Sequence, residues 1–103
     1  MKYNSEIVVK WFAEHGLTAV PEFQFAAPRK WRFDFVFGNR VALEVQGGIF
    51  SGGRHVRGGA LLKEMEKLNA AAVKGWRVLY CIPQNLCMQD TVDLIKEALN
   101  FAD

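Results

Sequence analysis

The stretch RFDFVFGNRVALEVQGG, Arg32 to Gly48, limits the fold more than any other part of the chain. Apolar side chains alternate on both sides of Gly38-Asn39, the pattern of two half-buried strands joined by a tight turn. Within that pattern Asp34 sits between Phe33 and Phe35, and Glu44 sits between Leu43 and Val45. An ionised carboxylate in such surroundings needs a partner, because its desolvation otherwise costs several kcal/mol.

Period-two alternation places Phe33, Phe35 and Phe37 on one face and Asp34 and Val36 on the other. In the next strand Val41, Leu43 and Val45 oppose Ala42, Glu44 and Gln46. A two-residue loop would pair Phe37 with Arg40 and send the acids to opposite faces. A three-residue loop, Gly38-Asn39-Arg40, pairs Phe37 with Val41, matches apolar with apolar, and sets Asp34 directly across from Glu44. Opposed side chains have Cβ atoms about 4.5–5.5 Å apart, where two bare carboxylates repel. A divalent cation relieves that repulsion, and Mg²⁺ commonly binds through one or two carboxylates while keeping several waters. A salt bridge to Arg32, Arg77 or Lys67, or protonation of one acid, relieves it equally well.

The rest of the chain supplies the frame. Asn4 or Ser5 caps a first helix whose stripe is Ile7, Val8, Trp11 and Phe12 and which ends before Gly16. LTAVPEFQF is an extended run that Pro21 marks as an edge strand or an interruption. A helix from about Ala60 to Lys74 carries Leu61, Met65, Leu68 and Ala72 on its inner side, with Gly75 as its left-handed C′ residue. WRVLYCI reads as a strand buried on both faces, and Asp90 or Thr91 caps a last helix with Val92, Ile95 and Leu99 inward. The order α-β-β-β-α-β-α is that of one α/β domain over residues 1–103, a central mixed sheet flanked by helices.

A net charge of +2 identifies no partner. Its distribution says more: Arg29, Lys30 and Arg32 precede Asp34, and Arg54, His55 and Arg57 follow the second acid on the glycine-rich segment Gly47–Gly59. A basic surface around an acidic pair suits a polyanion held near a cation, although each of these side chains could equally be plain solvated surface. Glycine amides and arginines contact phosphates without reading sequence, and the alternative for this segment is a flexible connection. Trp11 and Trp76 lie in apolar elements and belong to the core, whereas Trp31, between Lys30 and Arg32, is open to a base. Cys81 and Cys87 form no metal-ligand spacing, and no segment approaches the roughly 20 apolar residues that span a bilayer. These readings describe a cytoplasmic protein without an anchor.

Asp34 followed ten residues on by Glu44-Val45-Gln46 resembles the signature of the PD-(D/E)XK nuclease superfamily. The element order resembles its restriction endonuclease-like core. The longer string RKWRFDFVF…VALEVQGG…GGRHVRGG…EMEKLNAA…GWRVL is similar to small nuclease-like proteins of that superfamily common in phages and prophages. The resemblance spans about Ala27 to Ile82. It implies a metal-dependent DNA endonuclease with Mg²⁺ or Mn²⁺ as cofactor, held by Asp34, Glu44 and the carbonyl of Val45. Gln46 stands where the superfamily most often has lysine, and it orients a water without supplying charge. Lys67 is the candidate for the missing charge, and its alternative is a surface partner of Glu64. Glu6 resembles the first-helix acid that some members direct at the metal, and its spacing to Lys10 supports a surface pair as well. Lys30, Arg32, Arg54, His55 and Arg57 are the implied DNA contacts, made mainly to phosphates.

The expected role is structure-specific cleavage of a junction, flap or nick in phage recombination or repair, with a homodimer needed to cut both strands. Two other readings compete. One is a nucleic-acid-binding module that keeps the fold and has lost catalysis, which Gln46 favours and the intact acid pair opposes. The other is a small core protein whose acids merely pair with arginines.

Overall fold

The computed structural model describes residues 3–47 and 58–101. The chain runs α1 (Ser5–Glu14), β1 (Ala19–Gln24), β2 (Arg32–Phe37), β3 (Val41–Val45), α2 (Gly58–Val73), β4 (Arg77–Cys81) and α3 (Gln89–Asn100). This is an α/β fold in the expected element order. The strands stand in the order β1-β2-β3-β4, antiparallel at the first two junctions and parallel at the third. A parallel pair needs a long crossover, and α2 provides it between β3 and β4.

Local signals explain where the helices start and stop. The Asn4 side chain accepts the Ile7 N–H at 3.1 Å and caps α1. Gly16, at φ +84, lets the Leu17 N–H reach back to the Phe12 carbonyl at 2.9 Å. Gly75, also at φ +84, does the same for α2, with the Trp76 N–H on the Ala71 carbonyl at 2.9 Å. Neither Asp90 nor Thr91 caps α3: the helix begins at Gln89 behind Met88, and the Thr91 hydroxyl instead donates to the Asn85 carbonyl at 2.6 Å.

The sheet separates two apolar clusters. On one face Val8 and Phe12 of α1 and Val92 and Ile95 of α3 close over Phe35, Phe37, Val41 and Leu43. On the other, Ala71 of α2 meets Phe33, Val36 and Ala42, with Phe23, Phe25, Trp76 and Val78 around them. Phe33 therefore does not share a face with Phe35 and Phe37 as strict alternation requires. The β1–β2 pairing omits the rung between Glu22 and Asp34, and Glu22 stands at φ +52. Past that point both strands turn over, carrying Phe23 and Phe33 to the α2 side.

Two further expectations are corrected. The inner side of α2 is not the Leu61-Met65-Leu68-Ala72 stripe: Leu61 and Met65 are each 48% exposed and Ala72 is exposed. Glu64, Lys67, Leu68 and Ala71 are less exposed and share a three- and four-residue spacing. The helix is turned about its axis relative to its apolar stripe, bringing Lys67 toward the sheet. Nor is β4 buried on both faces. It forms an edge of the sheet, and its Tyr80 is exposed. Pro21 lies on the opposite edge strand, β1, where a missing ladder donor is tolerated. No helix of the described residues is long and apolar enough to cross a membrane.

Candidate functional site

The three-residue loop forms: Phe37 pairs with Val41, Val36 with Ala42 and Phe35 with Leu43. Gly38 at φ +50 and Arg40 at φ +71 make the tight reversal. One step further along this register the two acids meet and replace the ordinary ladder. The Asp34 N–H donates to Glu44 Oε1 at 3.2 Å, and the Val45 N–H donates to Asp34 Oδ2 at 2.7 Å. Each carboxylate thus accepts an amide from the opposing strand. The Lys67 ammonium of α2 donates to Glu44 Oε2, with side-chain exposures of 14% for Lys67 and 6% for Glu44. Its Nζ also lies 5.5 Å from the Phe33 ring centroid.

Burial is the main force on the Glu44 carboxyl, and it raises the pKa above the ordinary 4.5. Lys67 draws it back, through the hydrogen bond and through its charge, while the charge of Asp34 adds to the rise. The field of Asp34 extends further. Burial and then Asp34 push the Tyr3 hydroxyl up to about 12. The same two causes, in the same order, push the Cys81 thiol up to about 11. The negative pole of the site therefore faces the residue ahead of α1 and the end of β4.

The remaining candidates fall in different places. The Gln46 N–H donates to the Cys81 carbonyl at 2.8 Å, which fixes the exit of β3 beside β4. Its half-buried side chain lines a 520 Å³ groove with Glu64, Leu68, Tyr80 and Ile82 among the other walls. Glu64, which helical spacing offers as the surface partner of Lys67, lines this groove instead, because Lys67 reaches Glu44. Glu6 is exposed in the first turn of α1. Among the described residues no third His, Cys, Asp or Glu joins Asp34 and Glu44. Lys30 is exposed, and Arg32 makes an exposed pair with Glu22 at 3.5 Å. Arg54, His55 and Arg57 lie outside the described residues.

Trp11 stacks on His15 at 3.9 Å and packs on the first cluster, and Trp76 packs in the second. The proximity of Tyr3 to the site carries no signal in the sequence, since it depends on how α1 lies across Phe35, whose ring is 5.8 Å from that of Tyr3. No family model, curated protein or solved structure matches the chain.

Proposed function

We propose that the chain is a metal-dependent deoxyribonuclease of the PD-(D/E)XK kind, with Asp34 and Glu44 as its cation ligands. The observation that carries this reading is the meeting of two carboxylates across the β2–β3 hairpin with a lysine ammonium beside them. The donor chemistry fits Mg²⁺ or Mn²⁺, which bind through few carboxylates and retained waters. It does not fit a closed zinc site of imidazoles and thiolates. Among the described residues only Oδ2 of Asp34 accepts a hydrogen bond, so binding a cation through Oδ1 would break none of them. Such an ion, when bound, neutralises charge on a phosphodiester and acidifies a water.

On this reading the protein groups take the following roles. Asp34 and Glu44 bind, with the Val45 carbonyl as a further oxygen. Gln46, whose side chain lines the groove, orients a water by hydrogen bonds. Lys67 supplies the positive charge that Gln46 lacks, moving from Glu44 toward the phosphate. Glu6 is left as a solvated side chain. Lys30 and Arg32, with Arg54, His55 and Arg57 on sequence grounds alone, are the proposed phosphate contacts. The proposed substrate is a junction, flap or nick, and cutting both strands would take a homodimer.

The test is cleavage of a DNA panel (duplex, single strand, flap, four-way junction) with Mg²⁺, Mn²⁺ or EDTA. Asp34→Asn and Glu44→Gln run alongside, and Mn²⁺ binding is followed by calorimetry. Cutting that needs the metal and is abolished in both variants is the expected result. One observation favours a second reading, the non-catalytic binding module: Lys67 already neutralises Glu44 without a cation. DNA binding with no cutting, and Mn²⁺ affinity equal in parent and variants, would decide for it.

A further inference from the structure

We propose that the indole of Trp31 is a stacking platform for an unpaired nucleic-acid base, so that the chain selects single-stranded or locally opened DNA. The inference rests on the nuclease reading above and names the feature of the substrate that is recognised. It starts from a column of flat groups that runs outward from the acid pair. The Lys67 ammonium, on Glu44, lies over the Phe33 ring. Phe33 stacks on Phe25 at 4.2 Å with the planes 10° apart, and Phe25 on Trp31 at 6.3 Å and 19°. The column ends at the surface with the guanidinium of Arg29, whose Cζ is 3.9 Å from the Trp31 ring centroid.

A planar cation resting on an indole occupies the place a base would take, and it is loosely held there. Arg29 is tied to Glu66 of α2 at 3.5 Å, with side-chain exposures of 56% and 63%. An exposed ion pair and an exposed cation–π contact are each weaker than the stacking of a base on an aromatic ring. A base therefore displaces Arg29, which is then available to the adjoining phosphate. The indole itself stays in position, because the connection that carries it is fixed. The Gln24 side-chain amide donates to the Arg29 carbonyl at 2.7 Å, and the Arg29 N–H donates to the Ala26 carbonyl at 2.9 Å. Exposed Lys30 adjoins the platform. Around the platform Arg29, Lys30 and Arg32 face Glu66 and Glu22, and this small positive excess favours a polyanion over an apolar partner.

The stack does not read sequence, since every base has a π-face, but it does require that the base be out of a duplex. That gives the candidate site a means of choosing flaps, single strands or opened junctions.

The experiment is binding in EDTA, which separates recognition from cleavage, of a short oligothymidylate and of a blunt duplex. The proteins are the parent, Trp31→Ala and Trp31→Phe. Trp31→Ala is expected to lose about 5- to 150-fold in affinity for the single strand, with duplex affinity unchanged within about twofold. Trp31→Phe keeps a stacking ring, so it retains single-strand affinity but loses the quenching of tryptophan emission that the oligonucleotide causes in the parent. The quenching comparison stands even if Trp31→Ala does not fold. Equal losses on both substrates, no loss on either, or quenching preserved in Trp31→Phe would overturn the platform and leave the nuclease reading intact. A parent that binds neither DNA overturns the platform, while the nuclease reading stands or falls by the cleavage panel with Mg²⁺ and Mn²⁺.

Discussion

Replacing Lys67 with methionine tests what keeps Glu44 in the sheet. Methionine roughly matches the apolar stem of lysine and removes the ammonium, leaving a carboxylate of 6% exposure with the Asp34 N–H as its remaining donor among the described residues. Breaking a buried pair in this way costs about 3–5 kcal/mol. Glu44 has one escape, which is to take up a proton. Starting from its ordinary 4.5, protonation at pH 7 costs about 3.4 kcal/mol, and at pH 5.5 about 1.4 kcal/mol. The penalty of the substitution is therefore capped near those values and shrinks by about 2 kcal/mol between the two conditions. The sign follows from linkage. A carboxyl raised in the folded state holds its proton where the unfolded chain has released it, so stability falls as pH rises above 4.5. The variant exaggerates a trend the parent already has. Urea unfolding followed by far-UV circular dichroism at pH 5.5 and 7, on parent and Lys67→Met, gives both numbers. A penalty equal at the two pH values, or below about 1 kcal/mol at pH 7, would refute the buried-pair argument. Under the proposed function Mn²⁺ also raises the stability of the variant more than that of the parent, since a cation then replaces the missing ammonium.

Three other features carry expected outcomes: a pair of glycines, a thiol and a helix cap. Gly38→Ala lowers stability by about 1–2 kcal/mol in urea unfolding, because its φ of +50 is strained for alanine and the new Cβ would lie 2.8 Å from Leu99 Cδ2. Gly75→Ala, at φ +84 but with nothing nearer than Arg40 Cδ at 3.9 Å, is expected to lose only about 1 kcal/mol. Alkylation at pH 8 followed by mass spectrometry modifies exposed Cys87 well before Cys81, whose thiol ionises only near pH 11. Asn4→Ala removes the cap of α1 and lowers stability by about 0.5–2 kcal/mol, read in the same urea titration.

The hairpin register is legible in the sequence because only a three-residue loop matches Phe35 and Phe37 with aliphatic partners. That register by itself sets Asp34 against Glu44. The position of Phe33 is not legible. It depends on Glu22 adopting a positive φ, and a glutamate carries no signal for that conformation. The inner face of α2 is misread because periodicity weighs Leu61 and Met65 as core and Lys67 as surface. A buried carboxylate on another element reverses the weighting, and that partner is invisible within the helix. Tyr80 shows a similar limit: an apolar run does not tell a central strand from an edge, since both have the same composition. The end of α2 at Gly75 reads correctly because a left-handed cap is a local matter.

The acid pair closes the hairpin in the place of backbone carbonyls, so the amide protons of Asp34 and Val45 belong to the sheet and to the candidate site at once. Whatever draws on those oxygens loosens or tightens these two protons against exchange with deuterium. The next rungs, from Phe35–Leu43 to Phe37–Val41, are held by backbone alone and provide an internal reference. Occupancy of the site is thus written into the exchange rates of two named amides, and it can be read whether or not any bond is cut.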